Sequence, residues 1–414
     1  MILLQSKKLT SSPEIEQPFM STYIPKNSLH PLSYSSICSK IKSPSVQEIF
    51  VEHNQVRFLL KGGSYTYESI TQPRKDLIKQ IRIHRYQTMP KVSLNRSSWT
   101  TLDPMMSFLG NSDTESLPLS KNLKELKLIF CGNKIPSKSL ERLTVFISRH
   151  LTGLRSLRMD FESCSSISHN DFCFLFKEIT RNIRHLETLS IDFTKCTLLL
   201  DKSVEYFTRN LTRYFPDIQS LSFMFKGCSL IGDRSVRETL KIFNKKLYNL
   251  ENLSIGFGNG SISDGALESF YRETKENFAR LKSLGLYFSI CPMISNKGLK
   301  ELGKGLSENF EGLEKLRIIV SPKYSPYGKF DDEGVKNLIR RICRNLENLR
   351  ELGIYLWRYY EVTAKSVETL GVEIGKLKSL KVLNLNLEGC NPDTVKAVEE
   401  LNKKLTEAGL TIGT

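Results

Sequence analysis

Cys164, Cys196 and Cys228 stand at equal intervals, and Cys291 and Cys390 fall where the same interval, carried on with small adjustments, would place them. Thiols repeated at a fixed interval have two chemical readings. As thiolates they could hold a metal or form a redox pair; as thiols they are small, largely apolar residues that fill a turn. A metal shell would need a Cys-x-x-Cys pair or a nearby set of histidines, and the chain has neither. The nine cysteines are odd in number and follow no pairing scheme. The structural reading is therefore taken, with the five thiols buried, reduced and metal-free, and Asn133 in the equivalent place one interval earlier. Reduced thiols place the protein inside the cell, in the cytoplasm, with the nucleus also open.

Other chemistry is sparse. Gly256-Phe-Gly-Asn-Gly260 has the glycines of a phosphate loop but lacks the Lys-Ser/Thr that would follow one. The six histidines are scattered, and neither His-Glu-x-x-His nor Gly-x-Ser-x-Gly occurs. The expectation is a protein without catalysis, cofactor or metal. A formal charge of +16 leaves nucleic acid, an acidic protein or an anionic membrane surface as possible partners. Lys and Arg alternate with Glu on most of the helical stretches and no RNA-binding motif accompanies them, so nucleic acid is not favoured. No apolar run approaches the ~18 residues of a membrane span, and Met1-Ile-Leu-Leu4 is too short for the core of a signal peptide.

The cysteines are positioned by a larger repeat. Blocks of the form Leu-x-x-Leu-x-Leu-x-Phe start at Leu123, Leu154, Leu186, Ile218, Leu250, Leu281, Leu313, Leu349 and Leu380. Their spacing is about 32 residues throughout, and only the step from Leu313 to Leu349 is clearly longer. Apolar residues three, five and seven positions into each block make a strand with one buried face. A stretch of helical periodicity follows. From Asp331 to Leu346, Val335, Leu338, Ile339 and Ile342 share a face and basic residues lie opposite. Asp331, Ser263 and Ser295 are placed as N-caps. A strand-turn-helix unit cannot cover its own flanks, so nine of them stack into a curved α/β solenoid, parallel sheet inside and helices outside.

The blocks, with Leu230-Ile-Gly-Asp-Arg-Ser-Val236, Ile262-Ser-Asp-Gly-Ala-Leu267 and Ile294-Ser-Asn-Lys-Gly-Leu299 after three of them, resemble the leucine-rich repeat superfamily over residues 118–414. The long helical unit resembles its ribonuclease-inhibitor-like branch. Cysteines ten positions into five blocks resemble the cysteine-containing repeats of F-box substrate adaptors. The resemblance implies a horseshoe-shaped interaction protein. Its second branch implies an alternative, a substrate-recognition adaptor of a ubiquitin ligase that recruits its ligase through the N-terminal region, although residues 1–117 carry no recognisable F-box pattern.

Residues 1–46, rich in Ser, Pro and Lys, are expected to be a flexible tail. Residues 47–117 are expected to cap the array. Two short strands flank His53-Asn54, and Ile78, Ile81 and Ile83 form one degenerate repeat. Asp393 to Glu407 is the terminal helix, and Leu410-Thr-Ile412 the last strand.

By alternation, offsets two, four, six and eight of each block face the concave side. That row is charged in the first two units (Glu125, Lys127, Arg158, Asp160, Glu162), small in units three to six, and large again at Tyr287, Arg317, Ile319, Tyr355 and Trp357. Arg358, Tyr359 and Tyr360 follow at once. The seventh spacing is the long one, and its turn carries Tyr324 and Tyr327. Tyr, Trp and Arg dominate interface hot spots, so Tyr287, Arg317, Tyr324, Tyr327, Tyr355, Trp357, Arg358, Tyr359 and Tyr360 are the expected contacts for a protein partner. The chain would act as a non-enzymatic scaffold, one copy within a complex. The third reading is a nucleic-acid or ribonucleoprotein component using the basic convex face.

Overall fold

The computed structural model describes residues 124–413, apart from 133, 259–260, 276–277 and 322–328, together with the backbone of four strands between 46 and 95. Expectations that fall on Asn133, Tyr324, Tyr327 and Ile78, Ile81 and Ile83 lie outside the described residues. The repeat strands are β5 (Glu125–Ile129), β6 (Ser156–Asp160), β7 (Thr188–Asp192), β8 (Ser220–Lys226), β9 (Asn252–Gly258), β10 (Ser283–Ser289), β11 (Lys315–Ser321), β12 (Glu351–Leu356) and β13 (Val382–Asn386). Between and after them run α1 (Ser137–His150), α2 (His169–Asn182), α3 (Asp201–Tyr214), α4 (Asp233–Lys246), α5 (Asp264–Arg272), α6 (Asn296–Asn309), α7 (Asp332–Asn345), α8 (Ala364–Glu373) and α9 (Pro392–Glu407). The last strand, β14 (Thr411–Ile412), pairs with β13 as the sequence implied.

Parallel pairing keeps the blocks in register. Leu126, Leu157, Leu189, Leu221, Leu253, Leu284, Leu316, Leu352 and Leu383 are successive partners, and all are buried. Two positions on, at offset five, Leu128 to Ile354 form a second buried row, and a third at offset seven is aromatic in its first half. There Phe130, Phe161, Phe193, Phe225 and Phe257 stack with centroids 5.3, 5.0, 6.0 and 6.0 Å apart. Each stacked pair adds about 0.5–1.5 kcal/mol to what burial alone supplies. The helices close the other side: α7 buries Val335, Leu338, Ile339 and Ile342 as its periodicity required. The result is a leucine-rich repeat solenoid.

Wherever the residues after a repeat strand are described, they form one repeated turn. The residue at offset nine is left-handed in every unit where it is described: Gly132, Ser163, Lys195, Gly227, Ile290, Arg358 and Gly389 have φ between 61° and 76°. The next residue turns inward. Cys164, Cys196, Cys228 and Cys390 are buried there, and each thiol donates to the offset-seven carbonyl of the preceding unit, of Phe130, Phe161, Phe193 and Leu356 respectively, at 3.2–3.3 Å. Burial pushes the Cys196, Cys228 and Cys390 thiols up, Cys228 to about 12.

A second ladder joins the helix N-termini. Ser263, Ser295 and Asp331 are N-caps as expected, and in four units an aspartate that opens one helix holds the cap of the next: Asp201 accepts from the N–H of Gly232 at 2.9 Å, and in the other three the cap's hydroxyl donates as well. Asp233 accepts from the N–H and hydroxyl of Ser263 at 2.7 and 2.5 Å. Asp264 does the same for Ser295, and Asp332 for Thr363. Burial opposes ionisation of Asp332, but hydrogen bonds from Ser366 and Thr363 outweigh it and hold the carboxyl below its ordinary value.

At the N-terminal end the sheet continues beyond β5. β1 (Val46–Glu52) and β2 (Gln55–Leu60) form the hairpin around residues 53–54, and β3 (Gly63–Tyr67) extends it antiparallel. The strand that pairs with β5 is β4 (Lys91–Asn95), with Val92 and Leu94 opposite Leu126 and Leu128. Among the described residues it is this segment that continues the parallel ladder, followed by β1.

Two substitutions test this account. Phe193→Ala removes the centre of the phenylalanine stack and should cost about 3–5 kcal/mol in urea unfolding; a loss under about 1 kcal/mol would contradict the stacking. Left-handed backbone costs an L-residue about 1–2 kcal/mol, part of which glycine returns through its freer unfolded state. Ser163→Gly should therefore raise the unfolding midpoint slightly and Gly227→Val lower it, the two shifts having opposite signs.

Candidate functional site

Among the described residues the concave surface is built by the sheet and the residues at its strand ends. At offset six the register runs Asp160, Asp192, Met224, Gly256, Tyr287, Ile319, Tyr355, Asn386. Its first part is acidic. Burial pushes the Asp192 carboxyl up, and the neighbouring Asp160 adds to this against the hydrogen bond from the Thr194 N–H at 2.7 Å.

The middle, read from the sequence as a shallow floor of Ser and Gly, is partly roofed. A Cβ on Gly256 would collide with Met224 Sδ and stand 3.5 Å from Lys226 Cγ, so both side chains lean across β9. Lys226 Nζ reaches to 5.9 Å from the centre of the Tyr287 ring. Glycine two residues before each tyrosine seats its ring. A Cβ on Gly285 would lie 2.9 Å from Tyr287 Cε2, and one on Gly353 would lie 3.0 Å from Tyr355 Cε2.

Four of the expected contacts come together here. Tyr287 is half-buried on β10. Arg317, 32% exposed, holds its guanidinium 5.6 Å over the Tyr355 ring and 4.0 Å from Glu351. Trp357, half-buried just past the end of β12, meets Tyr355 edge-on at 6.2 Å and 71°. Its indole N–H donates to Asn386 Oδ1 at 3.0 Å, which fixes the ring plane. Tyr355 itself is only 4% exposed, and its buried hydroxyl has no hydrogen-bond partner among the described residues. Burial raises the phenol, with Arg317 opposing. Tyr355 therefore supports Arg317 and Trp357 from beneath more than it presents a ring of its own.

The remaining expected contacts divide. Tyr360 is 52% exposed and Arg358 is exposed at the left-handed turn, its Cγ lying over Gly389. Tyr359 corrects the expectation. It is 1% exposed and stacks on Phe330 with centroids 3.7 Å apart, so its ring belongs to the core. The reason is positional: Tyr359 stands at offset ten from Leu349, where other units bury a cysteine. Lys226 and Asn386 were missed, although both lie on inward-facing offsets.

The basic convex face is not uniform. On α7, Arg344 donates to both oxygens of Glu373 at 3.1 and 3.0 Å, Lys376 adds a third contact, and Arg340 lies 3.9 Å away. Glu373 is buried beneath them with its side chain 6% exposed. The described residues hold no group of three or more His, Cys, Asp or Glu side chains placed to bind a metal, and none of their helices is long and apolar enough to cross a membrane.

No family model and no curated protein matches the sequence. Among solved structures, the complex of Rad7 and Elc1 in yeast is similar at 17% identity over 67% of this chain and 83% of that one, with a TM-score of 0.30. A Bacteroides fragilis protein is similar at 13% identity over 88% and 91%, with a TM-score of 0.45. A leucine-rich repeat protein of Leptospira interrogans is similar at 14% identity over 83% and 93%, with a TM-score of 0.27. Likenesses of this size add nothing to the architecture that register and burial already define.

Glu373 gives a pH test. Hydrogen bonds from Arg344 and then Lys376 lower its carboxyl from 4.5 to about 2. Because the folded value lies below the ordinary one, the stabilisation is complete above pH 4.5 and is lost as pH falls toward 2. Glu373→Gln should melt below the wild type at neutral pH, and the gap should close across that window. A gap unchanged at low pH would mean that the ionised carboxylate is not what holds α7 to α8.

Proposed function

We propose that the protein is a non-enzymatic interaction scaffold that holds a protein partner on the C-terminal half of its concave face. The observation that carries this is the group formed by Tyr287, Arg317 and Trp357. Three side chains of hot-spot type stand on consecutive in-register strands or at their ends, each partly exposed and each fixed from below or beside by Gly285, Tyr355 or Asn386. Side chains already held in place lose little freedom on binding, and this is where affinity concentrates. Arg358 and Tyr360 extend the surface to the rim, and the turn bearing Tyr324 and Tyr327 is proposed to complete it, from its place in the sequence between β11 and α7.

The test is quantitative binding of a partner recovered with the wild-type chain. Trp357→Ala should weaken binding by about 2 kcal/mol or more while the circular dichroism spectrum and melting stay unchanged. Tyr359→Leu should act on stability rather than on affinity at equal folded concentration. Full affinity in the Trp357 variant would move the interface elsewhere.

A further inference from the structure

We infer that the outer face of α2, α3 and α4 is a second binding surface, and that it takes the phosphodiester backbone of a single-stranded nucleic acid. Lys177, Arg209 and Lys241 stand at offset 23 of their blocks, and Arg181, Arg213 and Lys245 at offset 27. All six are exposed. Equal offsets put them at the same places on three adjacent helices, as two rows one helical turn apart. Arg184 and Lys246 widen the stripe at the helix C-terminal ends. With helix axes about 8–10 Å apart, the rows cross roughly 20 Å of surface.

Their electrostatic surroundings set these residues apart from the later helices. Arg209 pairs with Glu205 at 2.8 Å and Arg181 with Glu178 at 3.8 Å. The other six have no carboxylate within ion-pair distance among the described residues. The equivalent places on α6 hold Lys304 and Glu308, and on α7 Arg340 and Arg344 face Glu373. Complementing the helix dipole accounts for cations in the last turn. It leaves Lys177 and Lys241, a full turn earlier, without a reason, whereas Arg209 there has its pair in Glu205.

Aromatic rings separate a nucleic acid from an acidic protein as the occupant. Tyr214, at the end of α3, is half-buried against the core and carries Arg184 and Arg213 over its ring, their guanidinium carbons 5.6 and 5.4 Å from the centre, so it holds two of the cations in place. Tyr248 is 56% exposed just beyond α4, with its hydroxyl donating to the Lys245 carbonyl at 2.6 Å. Cations that follow a backbone beside flat rings that stack bases are the combination single-stranded nucleic acid requires. The surface lies on the helical side of the solenoid and is independent of the concave site.

Fluorescence anisotropy with a labelled oligouridylate of about 20 nucleotides and the full chain tests this. About four phosphate contacts predict that affinity falls with salt at a log-log slope of about −3 between roughly 50 and 200 mM. Combined Lys241→Glu, Lys245→Glu and Lys246→Glu should weaken binding at least tenfold and flatten the slope. Tyr248→Ala should weaken it at fixed salt without changing the slope. An equal charge change on later helices, Lys300→Glu, Lys396→Glu and Lys403→Glu, should move affinity less than twofold, and Trp357→Ala not at all. The inference is overturned by absent binding at the lowest salt, or by control and patch variants that lose affinity equally. Polyglutamate or anionic vesicles binding as tightly as the oligouridylate through the same residues would overturn it too.

Discussion

No unit of this chain can stand alone, because each leaves two apolar flanks that only its neighbours cover. Everything else follows from the device that keeps neighbours in step. Leucines at one offset pair with leucines at the same offset across the sheet, from Leu126 to Leu383. Where the turn after a strand is described, a left-handed residue turns the chain, and in four units a buried thiol closes the offset-seven carbonyl of the unit before. The aspartate ladder repeats the same logic at the helix starts. Parallel pairing, thiol closure and shared capping thus tie successive units at three heights, and the side chains between them inherit a fixed position on one face.

That inheritance turns a row of residues into a surface. Offset six carries acid at Asp160 and Asp192 and then rings at Tyr287 and Tyr355, so the concave face changes character along its length without any change of backbone. The convex face changes too. Offsets 23 and 27 are basic on α2 to α4, whereas the arginines of α7 are answered by Glu373. One repeat therefore presents two chemically distinct faces, with the buried rows at offsets three, five and seven in between.

The repeat is legible because a period of about 32 residues, recurring in block after block, leaves one architecture. Alternation gives the face of each residue, and the caps at Ser263, Ser295 and Asp331 can be named. What alternation omits is where a side chain goes after it leaves the backbone. Met224 and Lys226 lean across β9, and Tyr355 lies down on Gly353, so the surface is neither as open in the middle nor as aromatic at the end as its letters imply. Tyr359 was readable and misread: its count from Leu349 gives the cysteine position, but a run of aromatic residues drew it to the surface. The parallel strand beside β5, Lys91–Asn95, escapes the pattern for a different reason. Met89 stands where its block would open and Arg96 where the phenylalanine would close it, so Ile78, Ile81 and Ile83 make the better match by letter.

The central claim is that the partner is held against the concave sheet. Ile319 lies in that sheet, half-buried between Tyr287 and Tyr355 in the register, while Lys300 is exposed on α6 on the helical side. A photoreactive residue placed at either position, in separate chains bound to the same partner, reads the face directly. The account predicts a crosslink to the partner from position 319 and none from position 300; the reverse pattern would contradict it.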